Sequence, residues 1–230
     1  LHLSVHSFPT RRSSDLHAVD RNAHLVNTAL QSDEPYLTPR IVTPPETAEQ
    51  VEAVCRDAGL NTPFLVVAPC SRWPSKDWPA ERFAAALTRL AQQQPELGIC
   101  LVGTASERHV GEDIVQNTNG NPVNLMGKTD FNAMVELLRR ARAVLTNDSG
   151  PMHLAAALET PVVALFGPTA KERTGPYGDQ HQVLHARVEC APCFQRRCPL
   201  PRQICWDKGP TADEVAAAVG RALRRPTKNV

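Results

Sequence analysis

The stretch 143–169 constrains the fold of this chain more than any other part of its sequence. The apolar run 143–145 predicts a short buried strand, and Leu154–Leu158 is strongly helix-forming. Pro161 ends that helix, and Val162–Phe166 predicts a second buried strand, which a Gly-Pro pair closes. A strand, a tight turn, a helix and a strand in this order form a unit of a parallel sheet, in which ligands bind at the carboxyl ends of the strands.

The turn between that strand and that helix, Asn147–His153, carries polar residues at a helix entrance. The free N–H groups and the positive dipole end of a helix suit an anion such as a phosphate. Each residue also has a structural explanation, because Asp148 or Ser149 can simply cap the helix, Gly150 is ordinary at a helix entry and His153 can be a structural histidine. Their combination at one helix entrance favours a binding site.

Strands and helices alternate along residues 62–225, which predicts a single α/β lobe. The expected architecture is a parallel, doubly wound sheet of about six strands with helices on both faces. Further strands are predicted at 64–68, 99–102, 123–126 and 182–185. Helices are predicted at 17–31, 45–60, 79–94, 107–116, 131–142 and 211–224.

The segments outside this lobe have a different character. Residues 1–16 show no periodicity and no initiating Met, so we expect a tail outside the lobe, either solvated or foreign sequence joined to a truncated gene. Residues 17–61 contain two helical patterns separated by a proline-rich linker at 32–44, and residues 226–230 form a terminal tail.

Composition excludes several classes of function. A net charge of +1 gives no indication of nucleic acid as a partner. No apolar run reaches transmembrane length, and no secretory signal is visible, so we expect a cytoplasmic protein in a reducing compartment. A hydrophobic fraction of 42% over 230 residues is sufficient for a well-developed core.

Polar residues follow each predicted strand, where a ligand of the sheet would lie. Ser71 offers a hydroxyl, and Lys76 is either a diphosphate ligand or an ordinary surface lysine. Glu107 either accepts from ribose hydroxyls or completes a capping box, and Thr129 is expected to face the cleft. No G-x-G-x-x-G motif follows a strand and no P-loop motif is present, so a sugar nucleotide fits better than a dinucleotide.

Three motifs make the chain similar to glycosyltransferase family 9, the ADP-heptose:lipopolysaccharide heptosyltransferases, over roughly residues 17–225. The motifs are Pro-Ser-Lys-x-Trp-Pro-x-Glu-Arg-Phe at 74–83, Val-Gly at 102–103, and Asn-Asp-Ser-Gly-Pro-Met-His-Leu-Ala-Ala-Ala-Leu with Thr-Pro-Val-Val-Ala-Leu-Phe-Gly-Pro-Thr at 147–169. The resemblance implies the GT-B fold, which has an acceptor lobe followed by a nucleotide-sugar lobe. This chain resembles the second lobe, preceded in 17–61 by the end of the first lobe and a linker helix.

The resemblance also implies a role for each candidate residue. Ser71 and Lys76 would touch the donor diphosphate, Glu107 would lie near the nucleoside ribose, and Thr129 would border the adenine pocket. Asp148 would bind hydroxyls of the transferred sugar. The phosphate and sugar would be lined by Ser149, Gly150, Met152 and His153.

For the reaction, the resemblance implies inverting heptosyl transfer from ADP-heptose to the inner core of lipopolysaccharide. The general base would lie in the first lobe, so no catalytic residue is expected in this chain, which alone would be inactive. Lys76 and the backbone N–H groups within residues 149–151, of which Pro151 has none, are suited to stabilise the leaving diphosphate without a metal, since the sequence has no Asp-x-Asp motif. The acceptor implies peripheral contact with the inner face of the inner membrane, and no cofactor is required.

The cysteines Cys190, Cys193, Cys198 and Cys205 raise a second hypothesis. Their spacing fits either a structural zinc clip or a group of free thiols. Arg196, Arg197 and Arg202 in the same loop either meet anionic groups of the acceptor or are simply solvated. Two alternative functions therefore stay open at this point: a family member that uses another nucleotide sugar, and a non-catalytic nucleotide-binding or zinc-clipped domain.

Overall fold

The computed structural model describes residues 16–32, 40–60 and 63–225, and a six-stranded parallel sheet lies at the centre of this part of the chain. The strands are β1 (Phe64–Ala68), β2 (Gly98–Leu101), β3 (Val123–Asn124), β4 (Ala143–Asn147), β5 (Val162–Phe166) and β6 (Gln182–His185). Their spatial order is β3-β2-β1-β4-β5-β6, so the direction of winding reverses between β1 and β4. Ligands of open α/β sheets bind at such a reversal.

The helices connect the strands and flank the sheet. They are α1 (Ala18–Leu30), α2 (Pro45–Asp57), α3 (Ala80–Gln93), α4 (Arg108–Gln116), α5 (Phe131–Arg140), α6 (Gly150–Ala157), α7 (Lys171–Thr174), α8 (Ile204–Asp207) and α9 (Ala212–Leu223). Short 3-10 turns lie at Pro74–Lys76 and Ala105–Glu107. The predicted tails 1–15 and 226–230, the linker part 33–39 and residues 61–62 lie outside the described residues.

The central strands are buried on both faces, which is why their sequences are continuous apolar runs. In β1, Leu65 and Val67 belong to a core that includes residues of α3, α4 and α9. The alternate residues Val66 and Ala68 belong to a second core, with residues of α2, α5 and α6. The structure thus confirms the predicted six-stranded sheet with helices on both faces.

Side-chain caps explain where two of these helices begin. Asp130 Oδ1 accepts a hydrogen bond from the amide of Ala133 at 2.7 Å, at the start of α5. Before α9, the amide of Thr211 donates to Glu214 Oε2 at 2.8 Å, and the amide of Glu214 donates to the Thr211 hydroxyl at 3.2 Å. These bonds satisfy helix N–H groups that have no intrahelical partner, so a local sequence signal set both starts.

Strand β3 is shorter than the predicted strand 123–126. Asn124 Oδ1 accepts a hydrogen bond from the amide of Met126 at 3.0 Å, which turns the chain away from an extended course. Met126 then becomes fully buried, with its side chain against Gly103 and Gly111. Leu125 and Met126 are therefore apolar because they are buried next to the edge of the sheet, and not because they belong to a strand.

The segment 40–57 is fastened to α5 by a network of charged groups. Glu136, which is 7% exposed, pairs with Arg139 at 3.0 Å and with Arg140 at 2.8 Å. The outer nitrogens of the two guanidinium groups donate to the carbonyls of Ile41 at 3.0 Å and Ala48 at 2.9 Å. The buried carboxylate therefore orients both arginines toward the backbone that they hold.

Helix α1 contacts the lobe at its first turn. His17 Nε2 is 3.0 Å from the carbonyl oxygen of Gly175, and the Tyr177 hydroxyl donates to Asp20 Oδ1 at 2.7 Å. No residue of α1 is buried, and Leu25 and Leu30 are 68% and 71% exposed. Among the described residues, none of the helices combines the length and the apolar character needed to cross a bilayer.

Acid should weaken this fold through His181. Its Nδ1 accepts from the amide of Val162 at 3.2 Å, and burial lowers its pKa from 6.5 to about 4. Between these values the unfolded chain binds a proton that the folded chain does not bind, so the free energy of unfolding falls as pH falls through that window, by on the order of 2 kcal/mol. Urea unfolding at pH 7, 5.5 and 4.5 would measure this.

The matched variant for that measurement is His181→Gln, which can accept the same bond but cannot be protonated. Its free energy of unfolding should fall less steeply with acid than that of the wild-type chain. Equal slopes in the two proteins would contradict the assignment of the acid sensitivity to His181.

Candidate functional site

The side chain of Asn147 holds together the loops after β1 and β4, where the winding of the sheet reverses. Asn147 is the last residue of β4 and is fully buried. Its Nδ2 donates to the carbonyl of Pro69 at 2.5 Å, and its Oδ1 accepts from the amide of Trp78 at 3.2 Å. One amide group thereby binds both ends of the loop 69–79 that carries Lys76.

Lys76 and Asp148 meet directly at this point. Lys76 Nζ lies 2.7 Å from Asp148 Oδ2, and the side chains are 17% and 5% exposed. The Thr169 hydroxyl, from the loop after β5, donates to the same carboxylate oxygen at 2.7 Å. Lys76 Nζ also lies 4.6 Å from the centre of the Trp73 ring. An ammonium group has three N–H donors, so Lys76 retains donors for an anion while it stays paired with Asp148.

The N-terminus of α6 opens beside this pair. Ser149 occupies the N-cap, but within the described chain its side chain does not cap the helix; its hydroxyl is instead 3.0 Å from that of Thr146. Gly150 is exposed, and a Cβ at this position would meet open space. Pro151 has no N–H group, and the amide of Met152 donates to the carbonyl of Ser149 at 3.2 Å. The amide of Gly150 is not covered by a side-chain oxygen, which leaves it available to an anion.

His153 and Met152, two predicted site residues of α6, differ in their exposure to solvent. His153 is exposed. Met152 has a fully buried side chain that packs in the core shared by α2, α5 and α6. The helix brings Met152 to the site, but its side chain points into the core because it lies on the buried face of α6 with Ala155 and Ala156, so it does not line the cleft.

The remaining predicted residues make local contacts. The Ser71 hydroxyl donates to the carbonyl of Trp73 at 2.9 Å and accepts from its amide at 3.2 Å, so it shapes the β1 loop. Glu107 Oε2 accepts from the amide and the hydroxyl of Thr104, which completes the capping box that was one of its two interpretations. Thr129 is half-buried in the loop after β3. The predicted ligand contacts of these three residues stay predictions.

The sequence interpretation assigned no role to several residues that shape this site: Trp73, Asp77, Asn147 and Thr169. Asn147 and Thr169 lie within the motif 147–169. Asn147 is a polar residue at the end of a buried strand, and this pattern could have indicated its role. Asp77 Oδ1 is buried, and within the described residues it has no hydrogen-bond partner. Burial raises the pKa of Asp77.

The four clustered cysteines do not form a metal site in this arrangement. Cys190 is exposed, Cys193 and Cys198 are half-buried, and Cys205 is buried, all as free thiols. Burial raises the pKa of Cys205 to about 11, with smaller contributions from the other three cysteines. Across residues 16–32, 40–60 and 63–225, no group of three or more His, Cys, Asp or Glu side chains is placed to hold a metal ion. The zinc interpretation is therefore unconfirmed.

A family model described as glycosyltransferase family 9 (heptosyltransferase) matches residues 2–204. The matched range includes most of the segment 1–16, whose origin stays a prediction. The lipooligosaccharide heptosyltransferase 2 of Haemophilus influenzae is 35% identical over 158 residues, which cover 66% of this chain and 44% of that protein. The chain thus spans less than half the length of this curated relative.

Solved structures show the same likeness. Escherichia coli ADP-heptose lps heptosyltransferase II is 26% identical with a TM-score of 0.66, and the match covers 85% of this chain and 56% of that one. A glycosyl transferase family 9 protein from Veillonella parvula is 24% identical with a TM-score of 0.78, over 93% of this chain and 62% of that one. These similarities confirm the predicted GT-B-type, Rossmann-like lobe.

Replacing Asn147 should show how much the fold depends on the tie between the two loops. Asn147→Leu leaves the buried carbonyl of Pro69 and amide of Trp78 without partners, so it should lower the free energy of unfolding by roughly 2–4 kcal/mol. Urea unfolding monitored by tryptophan fluorescence measures this. Asn117→Ala removes an exposed amide that donates to the carbonyl of Asp113 at 2.8 Å, and should cost below about 0.5 kcal/mol. Similar losses in both variants would contradict a special role for Asn147.

Proposed function

The chain belongs to glycosyltransferase family 9, and we propose that the lobe built on β1–β6 binds the donor ADP-heptose for inverting transfer of heptose to the inner core of lipopolysaccharide. The observation that carries this proposal is the contact of 2.7 Å between Lys76 and Asp148 at the reversal of winding. A cation and a carboxylate side by side fit the two halves of a nucleotide sugar, because the cation suits the diphosphate and the carboxylate suits sugar hydroxyls.

In the proposed reaction, an acceptor hydroxyl oxygen attacks the anomeric carbon of the donor sugar. The bond between that carbon and the β-phosphate oxygen breaks, and ADP leaves with the electron pair. Lys76 and the first amides of α6 stabilise the negative charge that develops on the leaving oxygen. The acceptor hydroxyl loses its proton to a general base, which we place outside the residues described here, in an acceptor-binding lobe.

The proposed positions of the donor follow from the same site. Ser149, Gly150 and the backbone at the start of α6 would contact the phosphates, with His153 near the sugar. Ser71 would contact the diphosphate from the β1 loop. Glu107 and Thr129, in the loops after β2 and β3, would lie on the nucleoside side. Each of these assignments is a proposal that rests on the resemblance and on the position of the residue at the carboxyl edge.

The activity of the whole enzyme, heptosyl transfer to lipopolysaccharide, is also a proposal, because the chain covers 44% of the length of the Haemophilus influenzae relative. That relative is called a lipooligosaccharide heptosyltransferase, and the E. coli structure names ADP-heptose, which supports this donor and this class of acceptor. We propose a cytoplasmic location at the inner face of the inner membrane. The free state of all seven cysteines agrees with a reducing compartment.

Lys76 should contribute most of the affinity for the donor diphosphate. In calorimetric titration of the purified chain with ADP, Lys76→Ala should raise Kd by roughly 10- to 100-fold, since a charge-assisted hydrogen bond is lost. Lys208→Ala, an exposed lysine after α8, serves as the control and should change Kd by less than about twofold. A folded wild-type chain without measurable ADP binding would overturn the proposed donor site.

Asp148 should affect ADP and ADP-heptose in opposite directions. In the free protein its carboxylate competes for Lys76, so Asp148→Asn should bind ADP as tightly as the wild-type chain or more tightly. The same variant should lose roughly tenfold or more in affinity for ADP-heptose, because a charged acceptor of sugar hydroxyl bonds is gone. Equal changes for both ligands would argue against a role of Asp148 in sugar binding.

A further inference from the structure

Beside the Lys76 site, three arginines surround a cleft of about 700 Å³. We call it the arginine cleft and define it by its lining residues Arg72, Pro74, Phe194, Gln195, Arg196 and Arg197. All three arginines are exposed, and in the part of the chain that the structure describes none of them has a carboxylate within 4.0 Å. The lining itself contains no acidic residue, so the cleft has an uncompensated positive charge.

Hydrogen bonds join the wall of the cleft to the loop 69–79, which carries Lys76, and to the loop after β5. The Ser75 hydroxyl donates to the carbonyl of Gln195 at 2.5 Å, and the Ser75 amide donates to the carbonyl of Arg196 at 3.3 Å. The amide of Phe194 donates to the carbonyl of Pro168 at 2.9 Å. Segment 194–197 is therefore held against the turn that carries Lys76 and against the loop after β5, so its arginines are anchored through their backbone.

The arginine cleft and the Lys76 site share the indole of Trp73. Lys76 Nζ lies 4.6 Å from the ring centre, and the Arg196 guanidinium carbon lies 5.9 Å from it. An aromatic face attracts cations electrostatically, so the ring holds both groups next to one another. Two anions could therefore be bound side by side, one by each cation.

The backbone at Phe194 is strained where the arginine segment begins. Its φ of 54° lies in the left-handed region, which a bulky side chain rarely adopts. Its ring lies 5.5 Å from the guanidinium of Arg173 and its side chain is 43% exposed, so core packing does not explain the strain. Strain of this kind concentrates where a segment is shaped to meet a ligand.

We propose that the arginine cleft binds a phosphate or carboxylate group of the acceptor sugar and so orients the acceptor beside the donor. This inference rests on the proposed function. The donor diphosphate already has Lys76 and the amides of α6, so the cleft is free for a second anion. Guanidinium groups bind phosphate and carboxylate in bidentate fashion, and the cleft is much larger than one such group, which suits an anionic substituent of a larger molecule.

The test is calorimetric titration of the full chain with a deacylated, phosphorylated core oligosaccharide of lipopolysaccharide, with and without saturating ADP. The double variant Arg196→Ala/Arg197→Ala should weaken oligosaccharide binding by roughly tenfold or more and change ADP binding by less than about twofold. Arg202→Ala is the matched control, because Arg202 lies in the same loop and pairs with Asp207 at 3.1 Å. It should change either affinity by less than about twofold.

Three results would overturn the inference. Equal losses in the double variant and in Arg202→Ala would indicate diffuse charge attraction, and a loss of ADP affinity alone would assign the cleft to the donor. No oligosaccharide binding by the wild-type chain would reject the cleft outright, whether or not ADP binds. Failure of ADP binding with intact, arginine-dependent oligosaccharide binding would reject the proposed donor site and leave the cleft standing. Phosphatase treatment of the oligosaccharide separates binding through phosphate from binding through carboxylate.

Discussion

The buried amide of Asn147 is the contact on which the arrangement of the site depends. Strands β1 and β4 are neighbours in the sheet but lie about eighty residues apart in the chain, and their following loops have no covalent reason to stay together. Asn147 uses both polar atoms of its side chain on the two ends of the loop 69–79. A fully buried amide is tolerated because both atoms are paired, and the same pairing fixes where Lys76 lies relative to Asp148.

The charges at the site are balanced in the free protein in a way that suits an anionic ligand. Asp148 is nearly inaccessible and is stabilised by Lys76 and by the Thr169 hydroxyl. A buried carboxylate without such partners would be costly, so Lys76 is held at the edge of the sheet even without a donor. The ammonium group stays partly accessible, and the amides of α6 open next to it. For the donor that we propose, the site is therefore preorganised, with the ammonium group in place for the phosphate and the carboxylate close to the attached sugar.

Local signals predicted much of the fold. The apolar runs of β1, β4 and β5 are continuous because these strands are buried on both faces. The helices α5 and α9 begin at local caps, Asp130 and Thr211. The length of the edge strand β3 was harder to predict. Leu125 and Met126 are apolar because they are buried, and not because they pair with a neighbouring strand. Glu107 had two interpretations with one sequence pattern, and the pattern alone could not decide which partner its carboxylate would find.

The sequence by itself determined the class of fold, the order of the six strands and of the longer helices along the chain, and the loops from which a ligand site would be built, because these depend on short-range periodicity and on residues at strand ends. The one-turn helices α7 and α8 were not predicted. The tertiary structure decided which of those residues meet. The pairing of Lys76 with Asp148, the tie made by Asn147, the burial of Met152 and the placement of Arg196 beside Trp73 all join residues that are distant in the chain or depend on which helix face is covered. Such contacts follow from the packing of elements against one another, and no local pattern encodes them.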